Sequence, residues 1–180
     1  MSAPIPDHFS LFGLEPRFAL DAERLARAYR TVQAHVHPDR FVAAGASERR
    51  AALQWATLAN EAYRVLNSPV RRAAYLCERH GVPVSGESAR ALSPDFLGLQ
   101  LEWRQELEQV RHEADSQRLS ALRSKAAACH LQGLRDLETQ LDVDRDFAGA
   151  ADGVRRMMFI EKFIQELEAT GDATLAAPAA

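Results

Sequence analysis

Residues 31 to 42 read TVQAHVHPDRFV, which gathers two imidazoles and a carboxylate, His35, His37 and Asp39, around Pro38. Three chemistries are open to that set. His37 and Asp39 could serve as a general base and its orienting carboxylate, but such a dyad needs a nucleophile or bound water and a concave pocket. The sequence offers no nucleophile motif, no Gly-rich phosphate loop and no third carboxylate nearby. A metal-dependent helical enzyme using His35, His37 and Asp39 is the second reading. Histidines at i and i+2 diverge on a helix, and no HExxH or CxxC completes the ligand set. The third is a solvated turn, in which Asp39 bonds local N–H groups and His37 ends a helix favourably.

The elements around the cluster are helical. Asp21 is placed as an N-cap, and Leu25, Tyr29, Val32 and Val36 then recur on one face while Arg24, Arg27 and Arg30 fall on the opposite one. Pro38 disfavours α backbone at the residue before it and has no N–H, so this basic amphipathic helix should stop near His37. A second helix is expected after Gly45, capped by Ser47 and carrying Trp55, Ala59, Ala62, Tyr63 and Leu66 inward. The short HPDRFVAAGA connection makes the two an antiparallel hairpin. NSP at 67–69 ends the second helix, VRRAAYLCERH forms a shorter one, and GVPVSGES reads as a linker.

Beyond it, Ser93-Pro94 is a helix start, and three apolar stripes follow: Phe96, Trp103, Leu107, Val110; Leu119, Leu122, Ala126, Cys129, Gly133, Leu137; and Met157, Ile160, Ile164, Leu167. Three such faces make a small bundle. The closing GDATLAAPAA is expected to fray.

Composition agrees with a soluble helical protein: 180 residues, 47% hydrophobic and 26% charged. No apolar run approaches the roughly 20 residues that span a bilayer, and MSAPIPDHFSLFGL lacks the pattern of a signal peptide. A cytoplasmic protein with no membrane or nucleic-acid partner is expected. Cys77 and Cys129 read as buried free thiols, so neither a metal nor another cofactor is expected. Residues 1–80 hold 11 Lys and Arg against 8 Asp and Glu, and residues 81–180 hold 11 against 17. A basic and an acidic half suggest two modules with different partners.

Taken together, YRTVQAHVHPDRF and NEAYRVLNSPVRRAAY resemble the J-domain of DnaJ-type co-chaperones over roughly residues 8 to 80. HFSLFGLEPRFALD, AYLCERHGV, DFLGLQLEWRQELE and VRRMMFIEKF extend the likeness along nearly the whole chain to the HscB family, the J-proteins of iron–sulfur cluster assembly. The resemblance implies an all-α protein: a J-domain hairpin with flanking short helices at 1–80, a linker at 81–92, a C-terminal three-helix bundle at 93–172 and a flexible tail at 173–180. It implies an adaptor and not an enzyme. His37, Pro38, Asp39, Arg24, Arg27, Arg30 and Arg40 would contact an HscA-type heat-shock protein 70 and stimulate its ATP hydrolysis. Leu97, Leu101, Glu102, Gln105 and Phe159 would hold an IscU-type scaffold. A J-protein serving another client is the alternative.

Spacing adds an independent observation. Leu97 and Leu101 project about 100° to 140° from the first buried stripe, and Phe159 roughly 110° from the third. An exposed apolar patch on two helices would mark a binding site, unless a wide buried arc covers it. Arg40 stands where the family has lysine, Gly98 where it has methionine, and Gln105 where it has an acid.

Overall fold

The computed structural model describes residues 7–36, 45–86 and 93–176, with side chains as far as Gly171. Its elements are α1 (His8–Leu11), α2 (Ala22–Val36), α3 (Ala46–Asn67), α4 (Pro69–Arg79), α5 (Pro94–Glu113), α6 (Ser116–Glu138), a π-helical turn (Thr139–Asp144) and α7 (Phe147–Ala176). There is no strand among the described residues, and the fold class is the expected all-α one.

Capping chemistry starts most of these helices. Asp21 accepts the N–H groups of Glu23 and Arg24 at 2.9 and 3.1 Å, satisfying two donors that the helix itself leaves open. Ser68 before Pro69 starts α4, Ser93 before Pro94 starts α5, and Asp115 accepts from Gln117 and Arg118 at the head of α6. One cap differs from expectation. Gly45, not Ser47, precedes α3, and the Glu48 carboxylate accepts the Gly45 N–H at 3.3 Å. Ser47 becomes the second helical residue.

In the N-terminal half, α2 and α3 pack as the expected antiparallel hairpin. Tyr29 stacks on Tyr63 with ring centroids 4.2 Å apart and donates its hydroxyl to Asn60 at 2.8 Å. Ala59, Ala62 and Leu66 are buried, so small residues let the helices approach closely. Trp55 departs from the inward expectation and is 42% exposed. Gln33 also bonds Asn60, so the pairing of the two helices continues toward the last turn of α2.

In the C-terminal half, α6 and α7 form the main antiparallel pair and α5 lies across both. The first stripe is buried throughout, and the other two are buried or half-buried at every position. At one crossing the approach leaves no room for a side chain: a Cβ on Gly133 would collide with the Met157 sulfur. The last helix is longer than its composition suggests. It continues through Gly171 to Ala176, and a Cβ on Gly171 would overlap the Arg123 guanidinium, whose Nη2 donates to the Leu167 carbonyl at 2.9 Å.

The two halves share a core. Phe9, Phe12, Leu14, Phe18 and Cys77 belong to the same buried apolar cluster as Leu137, Leu141, Ala150 and Val154. The join is made mainly by α4 against the first turns of α7, where His80 stacks on Phe147 with centroids 3.7 Å apart.

Candidate functional site

Two surfaces carry the residues singled out from the sequence. The first is the outer face of α2. Its inner face is anchored by Leu25, which is 1% exposed, and by Tyr29, which meets Tyr63 and, edge-on at 6.3 Å, Phe12. With that side held, Arg24, Arg27 and Arg30 are all exposed on the other. Arg27 pairs with Glu23 at 3.2 Å and Arg24 reaches the Gly13 carbonyl at 3.5 Å. Exposed i,i+4 pairs of this kind contribute a few tenths of a kcal/mol, so a partner carboxylate can displace them. His37, Pro38, Asp39 and Arg40, at the end of this helix, lie outside the described residues.

His35, the remaining member of the opening cluster, is exposed and helical, with its Nδ1 at 2.7 Å from the Thr31 carbonyl. Among the described residues no three His, Cys, Asp or Glu side chains converge as metal ligands.

The second surface is on α5. Phe96, Trp103, Leu107 and Val110 face inward, and Leu97 and Leu101 stand on the outer side, 50% and 59% exposed. Contacts to the neighbouring helices fix the rotation of α5. Arg111 donates to the Thr170 hydroxyl of α7 at 3.2 Å, which marks the α7 flank. Lys125 of α6 bonds Glu102 at 3.1 Å and pairs with Glu106 at 3.6 Å, which marks the α6 flank. Leu97 and Leu101 therefore rise on the side nearer α7, Gln105 is exposed at the crest, and Glu102 leans toward α6, where its hydrogen bond raises the pKa of Lys125. Gly98 is exposed among them, with open space where a Cβ would stand.

Phe159 is half-buried, between the two expectations for it. Its ring lies 5.6 Å from Phe96, 6.2 Å from Trp103 and 5.9 Å from Phe163. The reason is the α5 and α7 crossing, which is filled by aromatics and so widens the buried arc of α7 beyond the Met157, Ile160, Ile164, Leu167 stripe. Arg156 lies over Phe96 at 5.5 Å from the ring centroid and closes the cluster on its other side. Met158, the residue before Phe159, is 52% exposed and carried no signal in the spacing.

Sequence reasoning also missed Asp142. In QLDVDRD it looks like one carboxylate of a solvated acidic turn, yet its side chain is only 9% exposed and contacts residues of the N-terminal half. No local pattern distinguishes it from Asp144 or Asp146.

Comparison with known proteins gives the following relatives. A family model described as the HSCB C-terminal oligomerisation domain matches residues 92–168. The Co-chaperone protein HscB homolog of Bordetella pertussis is 48% identical over 163 residues, covering 91% of this chain and 95% of its own. The homolog of Burkholderia mallei is 45% identical over 162 residues, covering 90% and 92%. Among solved structures, Chaperone HscB from Vibrio cholerae superposes with a TM-score of 0.83 at 35% identity, over 94% of this chain and 99% of that one. Human co-chaperone protein HscB superposes at 0.86 with 23% identity, over 94% and 84%, a likeness of fold. No helix among the described residues is long and apolar enough to cross a membrane.

Proposed function

The chain belongs to the HscB family of co-chaperones, and from that premise we propose that it is the adaptor between a DnaK-type HscA chaperone and an IscU-type scaffold of iron–sulfur cluster assembly. Residues 1–80 act as the J-domain, 81–92 as a linker, and 93–172 as the scaffold-binding bundle. The observation that supports this most directly is the exposure of Leu97 and Leu101 on α5, the two leucines that the resemblance assigns to scaffold contact.

The mechanism follows from two contacts. Arg24, Arg27, Arg30 and Arg40 draw the J-domain onto an acidic surface of the chaperone, an effect that raises the rate of encounter and weakens with salt. His37, Pro38 and Asp39 then engage the ATPase. Proline restricts the turn, so Asp39 can meet a partner arginine in a charge-assisted bond with little ordering entropy lost. Hydrolysis takes place in the chaperone, and this chain is no enzyme. At the other end, Leu97, Leu101 and the exposed rim of Phe159 provide apolar contact area, with Glu102 and Gln105 as its polar border. Holding both partners raises the effective concentration of scaffold at the chaperone.

The test is HscA ATP turnover with and without IscU, together with IscU binding. His37→Gln should abolish stimulation and keep scaffold binding. Leu97→Ala/Leu101→Ala should keep the stimulation seen without scaffold and weaken scaffold binding. Full stimulation by His37→Gln would overturn the trigger assignment. A wild-type chain that stimulates HscA but does not bind IscU would instead point to a different client.

A further inference from the structure

The segment between α1 and α2 has no regular structure, so its backbone N–H groups need acceptors from elsewhere. Two of them find one in the other half of the chain. Phe18 N–H donates to Asp142 Oδ1 at 2.7 Å and Ala19 N–H donates to Asp142 Oδ2 at 2.8 Å, so both carboxylate oxygens are engaged. Arg17 Nε stands 3.6 Å from the same group. Behind them is Arg72, 8% exposed, with its guanidinium 5.2 Å from the centroid of the Phe18 ring and its Nη1 donating to the Leu66 carbonyl. Burial lowers the Arg72 pKa, and the negative charge of Asp142 opposes that effect. One carboxylate thus serves two backbone donors and faces two cations.

Asp142 reaches this position from the π-helical turn. Arg145, at φ 56°, ends the turn and donates its N–H to the Gln140 carbonyl. Leu141, beside Asp142, is 2% exposed in the shared core and holds the turn against it.

The geometry of the join gives this clamp a specific role. The α4 and α7 contact is mostly apolar, with the His80 and Phe147 stack and a 3.5 Å bond from Arg155 to the Val84 carbonyl along it. Apolar attraction is non-directional, so such a contact sets the orientation of two bodies only through the shape of its packing. The Phe18 and Ala19 hydrogen bonds to Asp142 are directional and add a second attachment, through the α1–α2 connection, that fixes this orientation.

We propose that Asp142 is the positioning residue that sets the orientation of α1–α4 relative to the bundle, and so couples occupancy of the α5 surface to the contact made by the α2 face. The coupling part rests on the co-chaperone reading above; the orientation part does not.

The experiment therefore has a readout that needs no partner. In the wild-type chain, residual dipolar couplings of the amides in α2–α4 and α5–α7 should fit a single alignment tensor, and the Phe18 and Ala19 amides should exchange at least tenfold more slowly than exposed loop amides. In Asp142→Ala the two groups of helices should need separate tensors, with those two amides exchanging at least tenfold faster than in wild type. With HscA, the scaffold-dependent part of the stimulation should fall at least fivefold, while stimulation without scaffold and scaffold affinity stay within twofold. A single tensor of unchanged magnitude in Asp142→Ala overturns the proposal. So do Phe18 and Ala19 amides that exchange like exposed loop amides in the folded wild type, a result that stands even where the variant fails to fold. A wild-type chain that fails to stimulate HscA defeats the co-chaperone reading, and the couplings still decide the role of Asp142.

Discussion

Truncating the exposed leucines, Leu97→Ala/Leu101→Ala, separates binding from folding more sharply than any other change on the bundle. Full burial of a leucine side chain stabilises by about 2 kcal/mol. With Leu97 50% and Leu101 59% exposed, about half of that remains to be gained when a partner covers them. Each leucine then contributes about 1 kcal/mol to the complex, and the pair about 2 kcal/mol, which is roughly a 30-fold loss of affinity on truncation. Stability should hardly change, because substitutions at exposed positions away from caps and buried networks stay within about 0.5 kcal/mol. Phe159→Ala behaves differently. Its ring packs on Phe96, Trp103 and Phe163, so removal leaves space within the α5 and α7 crossing and costs about 2 kcal/mol or more of folding stability. A triple variant would mix the two effects. The assay is calorimetric titration with the scaffold, paired with a thermal melt of each variant. A double variant that melts like wild type and binds the scaffold within twofold of it would refute the assignment of this surface.

Three further outcomes follow from the packing. Gly98→Ala should raise stability by about 0.5 to 1 kcal/mol, since glycine is a poor helix former and the new Cβ meets nothing within 4 Å; a lower melting temperature would contradict this. Burial of Asp7 opposes its ionisation, but hydrogen bonds from Arg79 and from the N–H groups of Ser10 and Phe9 outweigh it, leaving the pKa below the usual 3.8. A depressed folded-state pKa contributes stability above the unfolded value and loses it as pH falls through the folded one. Asp7→Asn should therefore melt lower than wild type at neutral pH, with the gap closing only below about pH 4; a gap that persists unchanged to pH 2 would exclude the linkage. Finally, burial pushes the Cys77 thiol up to about 11, whereas Cys129 is only half-buried, so a thiol reagent should modify Cys129 well before Cys77 in the folded protein. Equal rates of modification would count against the buried placement of Cys77.

Much of the helical architecture was legible in local chemistry. Asp21 and the Ser-Pro pair at 93–94 announce helix starts, and NSP at 67–69 a helix end, because unsatisfied N–H groups and a fixed proline φ act within a single turn. The burial of Phe96, Trp103, Leu107 and Val110 followed from the 3.6-residue period alone. The family resemblance was legible for a similar reason: it lies in contiguous segments. Trp55 was misplaced because periodicity gives its angle on α3 and not what packs at that angle. The close approach at Gly171, where the missing Cβ makes room for the Arg123 guanidinium, had no local signal.

What the amino-acid order determined by itself, then, was whatever neighbours along one helix can settle: caps, breaks, the inward stripe and the outward basic face of α2. Tertiary structure decided the rest. Phe159 became half-buried because aromatics from another helix surround it, and Glu102 leaned away from Leu101 because Lys125 of α6 bonds it. Asp142 became part of the join because the N–H groups it accepts lie 124 and 123 residues away, at Phe18 and Ala19. Periodicity states the angle of a side chain about its own axis. It cannot state what stands at that angle, and burial and partnership depend on that.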